Sequence, residues 1–121
     1  MENQLISYKT AVLAKELGFN ESCINFYTSN SHEIKQINLK GLSNSDFILF
    51  CSAPTQSLLQ RWLREKHNIR VFVSESFHNS EKYDAHIYDS GLNFSTHKTY
   101  EEALENGLYK GLLLIKNDEK I

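Results

Sequence analysis

The chain has 121 residues and a formal net charge of −2, and 40% of its residues are hydrophobic. This length predicts a single domain over residues 1–121 with one modest core, and the hydrophobic content excludes an intrinsically disordered chain. The small negative charge gives the chain as a whole no general attraction to nucleic acid or to acidic membranes. The longest apolar run, residues 112–115, is too short to span a bilayer, and the first residues show no secretory signal. We therefore expect a cytoplasmic protein with no membrane partner.

The first predicted element is a helix over residues 6–17. Apolar or small side chains recur there at helical spacing on one face, at Ile6, Thr10, Leu13, Ala14 and Leu17. Gly18 follows where a helix commonly ends with a left-handed residue, and Phe19 can fold back over the last turn.

Residues 20–45 have the weakest sequence pattern in the chain. INFYTS alternates like a strand, and EIKQINL could pair with it across a turn at Asn30 and Ser31. The apolar run DFILFC, residues 46–51, predicts a mostly buried strand. The two cysteines, Cys23 and Cys51, are expected to be reduced thiols because the chain has no export signal.

A Trp-bearing central helix is predicted next. Pro54 is expected in its first turn, where the missing N–H of proline costs nothing. One face is apolar and is expected to pack in the core, formed by Leu58, Leu59, Trp62 and Leu63. The opposite face is polar, formed by Ser57, Gln60, Arg61 and Arg64. The helix is expected to end near residues 67 and 68.

An antiparallel meander is predicted over residues 69–96. The side chains of two predicted strands alternate between two faces. In IRVFVSE, one face carries Ile69, Val71 and Val73. In YDAHIYD, one face carries Tyr83, Ala85 and Ile87. A turn at residues 89–91 leads to LNFST, a third short strand, and consecutive short turns favour neighbouring strands.

The C-terminal helix carries the clearest start signal. Thr99 and Glu102 form a capping box. A broad apolar face follows, made of Tyr100, Ala103, Leu104, Leu108, Leu112 and Ile115. Gly107 and Gly111 lie on that face, and because each costs about 1 kcal/mol relative to Ala, we expect close packing there, with self-association as the alternative.

Together these elements predict an α+β fold. It consists of an N-terminal helix, an extended region, the central Trp-bearing helix, an antiparallel β-meander and a C-terminal helix packed on the sheet.

The sequence contains no motif for a metal, a cofactor or nucleophilic catalysis. The five histidines show no ligand spacing, and there is neither a GxSxG motif nor a glycine-rich phosphate loop. We therefore assign no catalytic, cofactor-binding or metal-binding residues. A small enzyme stays as an alternative, since catalytic residues can be dispersed along a sequence.

Three arginines form the candidate contact with a partner. Arg61 and Arg64 share one helical face, and Arg70 opens the next strand. Such a cluster could bind a protein surface or the phosphates of nucleic acid. The structural alternative is that they are solvated, or pair with Glu65 and the acidic last helix for about 0–1 kcal/mol per pair. The acidic net charge and the lack of an interleaved aromatic and basic patch favour protein over nucleic acid.

The segment APTQSLLQRWLREKHNI, followed by the hairpin and TYEEALENGLYKGLLLI, resembles a family of small uncharacterised proteins of tailed phages and prophages, especially of Bacteroidetes hosts. The likeness covers most of the chain and begins with AVLAKELGF. It implies no established activity, cofactor or catalytic residue. It does imply a phage-type accessory protein in the cytoplasm of a bacterial host. We therefore expect a non-enzymatic module that binds a host or phage protein, with nucleic-acid binding through Arg61, Arg64 and Arg70 as the alternative and a homodimer as a candidate assembly.

Overall fold

The computed structural model describes residues 4–21, 23, 25–28, 34–36, 50–76, 82–88 and 97–119. Within these ranges the chain forms three helices and two small antiparallel sheets, which confirms the α+β prediction. None of the helices in them combines the length and the apolar character needed to cross a bilayer. The chain divides into two compact units, Met1–Thr55 and Gln56–Ile121. The expected single domain over residues 1–121 stays a prediction.

The first unit opens with helix α1, Tyr8–Glu16, which is shorter at its start than predicted. The hydroxyl of Ser7 accepts a hydrogen bond from the Thr10 N–H and caps the helix, so the buried Ile6 precedes it. Gly18 has a φ of 94°, and the Phe19 N–H donates to the Ala14 carbonyl at 2.9 Å. This bond pattern is the predicted glycine-terminated helix end, with Phe19 buried over the last turn.

The sheet of the first unit has three short strands. Strand β1, Asn25–Thr28, lies between β2, Ile34–Gln36, and β3, Phe50–Ser52, and both pairings are antiparallel. The predicted pairing of INFYTS with EIKQINL is thereby confirmed. The Asn30–Ser31 turn and residues 46–49 lie outside the described residues. The Tyr27 hydroxyl donates to the Ile6 carbonyl at 2.6 Å, which ties β1 to the segment before α1.

The second unit begins with helix α2, Gln56–His67, and this start corrects the expectation for Pro54. Pro54 lies two residues before the helix, and its carbonyl accepts a hydrogen bond from the Ile6 N–H at 3.0 Å. The adjacent Thr55 forms an isolated antiparallel bridge with Leu5. Pro54 therefore belongs to an extended pairing of the first unit and not to a helical turn. Helix α2 ends as expected, with Asn68 in the left-handed region at φ 55°.

The buried face of α2 is rotated slightly from the predicted one. Leu59, Trp62 and Leu63 are buried, Trp62 with 6% of its surface exposed, which confirms the central prediction of an interior Trp. Leu58 is only half-buried, and Gln56 takes its place in the interior. The Gln56 amide donates to the Glu101 carbonyl at 2.9 Å, so this buried polar group keeps a partner.

Strands β4, Val71–Glu75, and β5, Tyr83–Ile87, form an antiparallel ribbon, termed the β4–β5 ribbon below. Val71 pairs with Ile87, so the predicted adjacency of these strands is confirmed. The expected third strand, LNFST, lies outside the described residues. The next described residue, His97, exchanges two backbone hydrogen bonds of 2.9 Å with Tyr83.

Helix α3, Tyr100–Glu119, packs on the β4–β5 ribbon, as the sequence predicts for the C-terminal helix. The Thr99 hydroxyl accepts a hydrogen bond from the Glu102 N–H at 3.1 Å and caps the first turn. The predicted apolar face is buried except at Tyr100, which is 41% exposed. Tyr100 lies in the first turn, where its ring contacts the Tyr83 ring edge-on instead of entering the core.

The two glycines of α3 lie where the helix backbone comes closest to the ribbon. A Cβ atom on Gly107 would lie 2.7 Å from Val71 Cγ1, and one on Gly111 would lie 3.3 Å from Ile69 Cγ2. Any side chain at residue 107 would therefore push the helix and the ribbon apart. The face that was the candidate for self-association is buried within the chain at both glycines, and self-association itself stays a prediction.

Candidate functional site

The most distinctive surface of the second unit is the outer face of the β4–β5 ribbon. Side chains of a strand alternate between its two faces, and here Val71, Ala85 and Ile87 are buried on the inner face beneath α3. The alternate positions point outward. We call them the ribbon face, which consists of Arg70, Phe72, Ser74, Asp84, His86 and Tyr88.

The strand register arranges the ribbon face in three cross-strand rows. Phe72 pairs with His86 and Ser74 pairs with Asp84. A third row precedes them, because the Tyr88 N–H donates to the Arg70 carbonyl at 2.8 Å. Two of the three rows therefore place planar, π-bearing side chains directly opposite each other.

In the middle row, the orientation of the His86 ring is fixed from two sides. The Phe72 and His86 rings stack with centroids 5.0 Å apart and planes inclined by 22°. His86 Nε2 is also hydrogen-bonded to the Ser74 hydroxyl at 2.8 Å. The imidazole therefore sits on the Phe72 ring in a defined plane, which reduces the rotamer freedom that binding a ligand would otherwise have to remove.

The row at the end of the ribbon pairs a cation with an aromatic ring. The Arg70 guanidinium carbon lies 5.9 Å from the centroid of the Tyr88 ring, within the range of a cation–π interaction. Tyr88 is 64% exposed and Phe72 is 44% exposed. Two large aromatic side chains are thus neighbours on an open surface, flanked by polar groups.

The structure separates the three arginines that the sequence grouped together. Arg70 belongs to the ribbon face, whereas Arg61 and Arg64 lie on the exposed side of α2. Arg61 Nε lies 3.8 Å from the Glu65 carboxylate, and both side chains are more than half exposed. This is the predicted structural alternative for Arg61, a surface pair that contributes about 0–1 kcal/mol.

Helix α2 lies beside the open edge of β4. The side-chain amide of Gln60 donates a hydrogen bond to the Val71 carbonyl at 2.7 Å. This carbonyl points away from β5, because the backbone groups that bond to β5 belong to the even-numbered residues of β4. Gln60 was expected on the solvated face and instead caps the sheet edge. The last turn of α2, with Arg64 and Lys66 exposed, then leads within a few residues to Arg70.

The ribbon face is a candidate contact surface that the sequence pattern does not predict. The alternation of each strand is visible in the sequence, but the strand register decides which side chains stand opposite each other. Pairing of β4 and β5 brings one arginine, Arg70, onto the same face as Phe72, His86 and Tyr88, an arrangement that the sequence pattern does not predict.

The two cysteines are not placed as nucleophiles. Both are free and buried in the structure. Burial raises the pKa of the Cys23 thiol to about 11, with the Ser52 side chain opposing the shift and the Glu21 carboxylate adding to it. Burial also raises the pKa of Cys51, against the opposing charge of Lys15. Both are therefore neutral thiols near pH 7, whereas a reactive cysteine is a thiolate.

For metals, the described part of the chain holds no group of three or more His, Cys, Asp or Glu side chains arranged to bind an ion. Comparisons of the chain with protein-family models, with characterised proteins and with solved structures found no match.

Proposed function

We propose that this chain is a non-enzymatic macromolecule-binding module. In line with the resemblance of its sequence, we propose an accessory protein of the phage or prophage type that acts in the cytoplasm of a bacterial host. The observation that carries the proposal is the ribbon face, where Phe72 and Tyr88 are exposed side by side. We assign the contact surface to this face, with Arg70 within it.

The energetics of exposed aromatic rings support this assignment. Aromatic side chains and arginine are enriched among the residues that dominate the binding energy of interfaces, and aromatic side chains bury a large area at a small entropic cost. A ribbon that packs one face on a helix can carry polar residues on the other face. Strand propensity alone accounts for Phe and Tyr at these positions. It does not account for the stacked His86 or for Arg70 over Tyr88.

The proposal is tested by capture of bacterial-host extract on the full-length chain. Bound material, whether protein or nucleic acid, is expected to decrease in a Phe72→Ala/Tyr88→Ala variant. A Tyr100→Ala variant is the matched control because Tyr100 is an exposed aromatic of the same unit outside the ribbon face. An Arg61→Ala/Arg64→Ala variant measures how much of the captured material depends on the two arginines of α2. Equal capture by the parent and by the ribbon-face variant would contradict the proposal.

A small hydrolase is the second candidate function, and one contact favours it. The Ser74 hydroxyl lies 2.8 Å from His86 Nε2, the arrangement in which a histidine can activate a serine, and Asp84 lies on the same face. An activated serine predicts covalent labelling by an organophosphonate probe, lost in Ser74→Ala and in His86→Ala. The binding module predicts that the probe leaves the parent chain unlabelled, because its Ser74 only orients the imidazole.

A further inference from the structure

We infer that the ribbon face binds single-stranded nucleic acid by stacking bases on its aromatic rows. This inference rests on the proposed function, because it names the class of macromolecule that the same surface takes. It differs from the expectation drawn from the sequence, which placed a protein partner first.

The shape of the surface favours bases over protein side chains. Proteins that bind single strands present aromatic rings on an open sheet surface, and successive bases stack on the ring faces. The ribbon face has this form, since Phe72, His86 and Tyr88 lie in adjacent rows on two paired strands. Adjacent rows are two residues apart along a strand, about 6.6 Å, so each row can accept a base of its own.

The flanking groups are compatible with nucleic acid, although a protein interface also has a polar, solvent-accessible rim. The neighbours here are Arg70, Ser74 and Asp84, which are polar or charged and partly or fully exposed. Such neighbours suit a ligand that combines planar bases with a charged, hydrated backbone.

The charge distribution gives the bound strand a position. The positive charge of the face is that of Arg70, which lies in the row at one end of it; the exposed Arg64 and Lys66 precede Arg70 in the chain, in the last turn of α2. Asp84 occupies the opposite end, where a phosphate would be repelled. We therefore place the backbone along the Arg70 end and expect a short site, with about two bases stacked on the two aromatic rows.

The net charge of −2 does not oppose this placement, because local fields steer ligands. Part of the acidic excess lies elsewhere, for example at Glu101 and Glu102 in the first turn of α3, and α3 packs on the inner face of the ribbon.

The test is a fluorescence-anisotropy titration of the full chain with labelled oligo-dT and oligo-U of about 10 nucleotides. Binding is expected at low salt. Phe72→Leu and Tyr88→Leu keep apolar bulk but remove the ring, and each is expected to weaken affinity about fivefold or more. Tyr100→Leu is the matched control and is expected to retain the affinity of the parent. Unchanged thermal unfolding of each variant shows that the fold is kept.

A second arm tests the charge. Arg70→Gln is expected to reduce the slope of log affinity against log salt by about 0.7, the value for one phosphate contact of a single strand. Lys110→Gln, an exposed cation on α3, is expected to leave the slope unchanged. A duplex of the same length is expected to bind more weakly than either single strand, because its bases are already stacked. Binding of both the deoxy and the ribo strand supports base stacking as the shared mode, and a preference for RNA supports it with an added 2′-hydroxyl contact.

The inference would be overturned by no binding of either strand at low salt, by equal affinity of the ribbon-face variants and the parent, or by tighter binding of the duplex. Capture from nuclease-treated extract then distinguishes a failure of the nucleic-acid inference from a failure of the proposed function. If that capture depends on Phe72 and Tyr88 while no strand binds, the surface takes protein, so the nucleic-acid inference fails and the proposed function stands. If neither assay depends on these residues, both the inference and the proposed function fail.

A concentration-dependent dimer that the same variants abolish would assign the face to a second copy and overturn the inference.

Discussion

Val71 and Phe72 are neighbours in the chain and have opposite environments, and the same is true of Ile87 and Tyr88. Val71 and Ile87 are buried on the inner side of the ribbon beneath α3, whereas Phe72 and Tyr88 are exposed on the outer side. A similar contrast separates Trp62 from Arg61 on α2. Each element of the second unit therefore has one side governed by packing and one side free of it.

The difference shows how strongly packing constrains the residues on each side. On the inner side, volume decides the residue, to the point that Gly107 leaves no room for a single methyl group. On the outer side, Phe72 and Tyr88 are 44% and 64% exposed, so packing constrains the size of these side chains less. The contrast is testable because the two sides offer residues that are adjacent in sequence.

The largest expected effect separates Trp62 from Arg61. Trp62→Ala is expected to lower the free energy of unfolding by about 3–5 kcal/mol, since it leaves a cavity in the interior of the unit. Arg61→Ala, one residue earlier, is expected to cost at most about 1 kcal/mol because it removes only an exposed ion pair. Urea unfolding followed by far-UV circular dichroism measures both. Similar losses in the two variants would contradict the inward orientation of Trp62.

The second comparison is between the two sides of β5. Ile87→Ala is expected to cost about 2–4 kcal/mol through lost burial and an unfilled space under α3. Tyr88→Ala is expected to cost less than about 1 kcal/mol, because its ring is mostly solvated. The midpoint of urea unfolding gives both values under the same conditions. A Tyr88→Ala variant as unstable as Ile87→Ala would mean that the outer side is packed.

The two glycines of α3 provide a finer comparison within the inner side. Gly107→Ala is expected to destabilise the chain by about 1–2 kcal/mol, because overpacking against Val71 and Ala85 exceeds the gain in helix propensity. At Gly111 a new methyl group meets its nearest neighbours at 3.3–3.4 Å. Gly111→Ala is therefore expected to stay within about 1 kcal/mol of the parent. Thermal unfolding distinguishes them, and a stabilising Gly107→Ala would refute the close approach.

The smallest expected effect concerns the edge of β4. Gln60→Ala removes the hydrogen bond to the Val71 carbonyl and is expected to cost about 1 kcal/mol. Ser57→Ala, at an exposed position of the same helix, serves as the control and is expected to be neutral or slightly stabilising. Amide hydrogen exchange along β4 provides a second measurement. Unchanged protection of β4 in Gln60→Ala would show that the amide does not support this edge.

Much of the fold could be predicted from local patterns. The glycine-terminated end of α1, the Trp-bearing face of α2, the Thr99 cap and the buried face of α3 each depend on residues within one element. The errors occur where a residue bonds to a distant segment. Pro54 pairs with Ile6 across most of the first unit, and Gln60 bonds to the edge of β4. Neither partner is visible from spacing along a helix.

The candidate site shows the same limit more strongly. The three arginines are close in the sequence, yet only Arg70 belongs to the ribbon face. Its neighbours on that face, His86 and Tyr88, lie some 16 to 18 residues further along the chain. Their place beside Arg70 depends on the strand register. If the pairing slipped by one residue, every side chain of the strand would move to the other face.

The sequence by itself determined the three helices and the strands β4 and β5, and most of the apolar side of each, because periodicity and capping act over a few residues. Only the tertiary structure decided that Arg70 meets Tyr88, that Phe72 meets His86 and that Gly107 touches Val71. These contacts join segments brought together by strand pairing and helix packing, and the free energy of such pairing depends on the whole core rather than on local pattern.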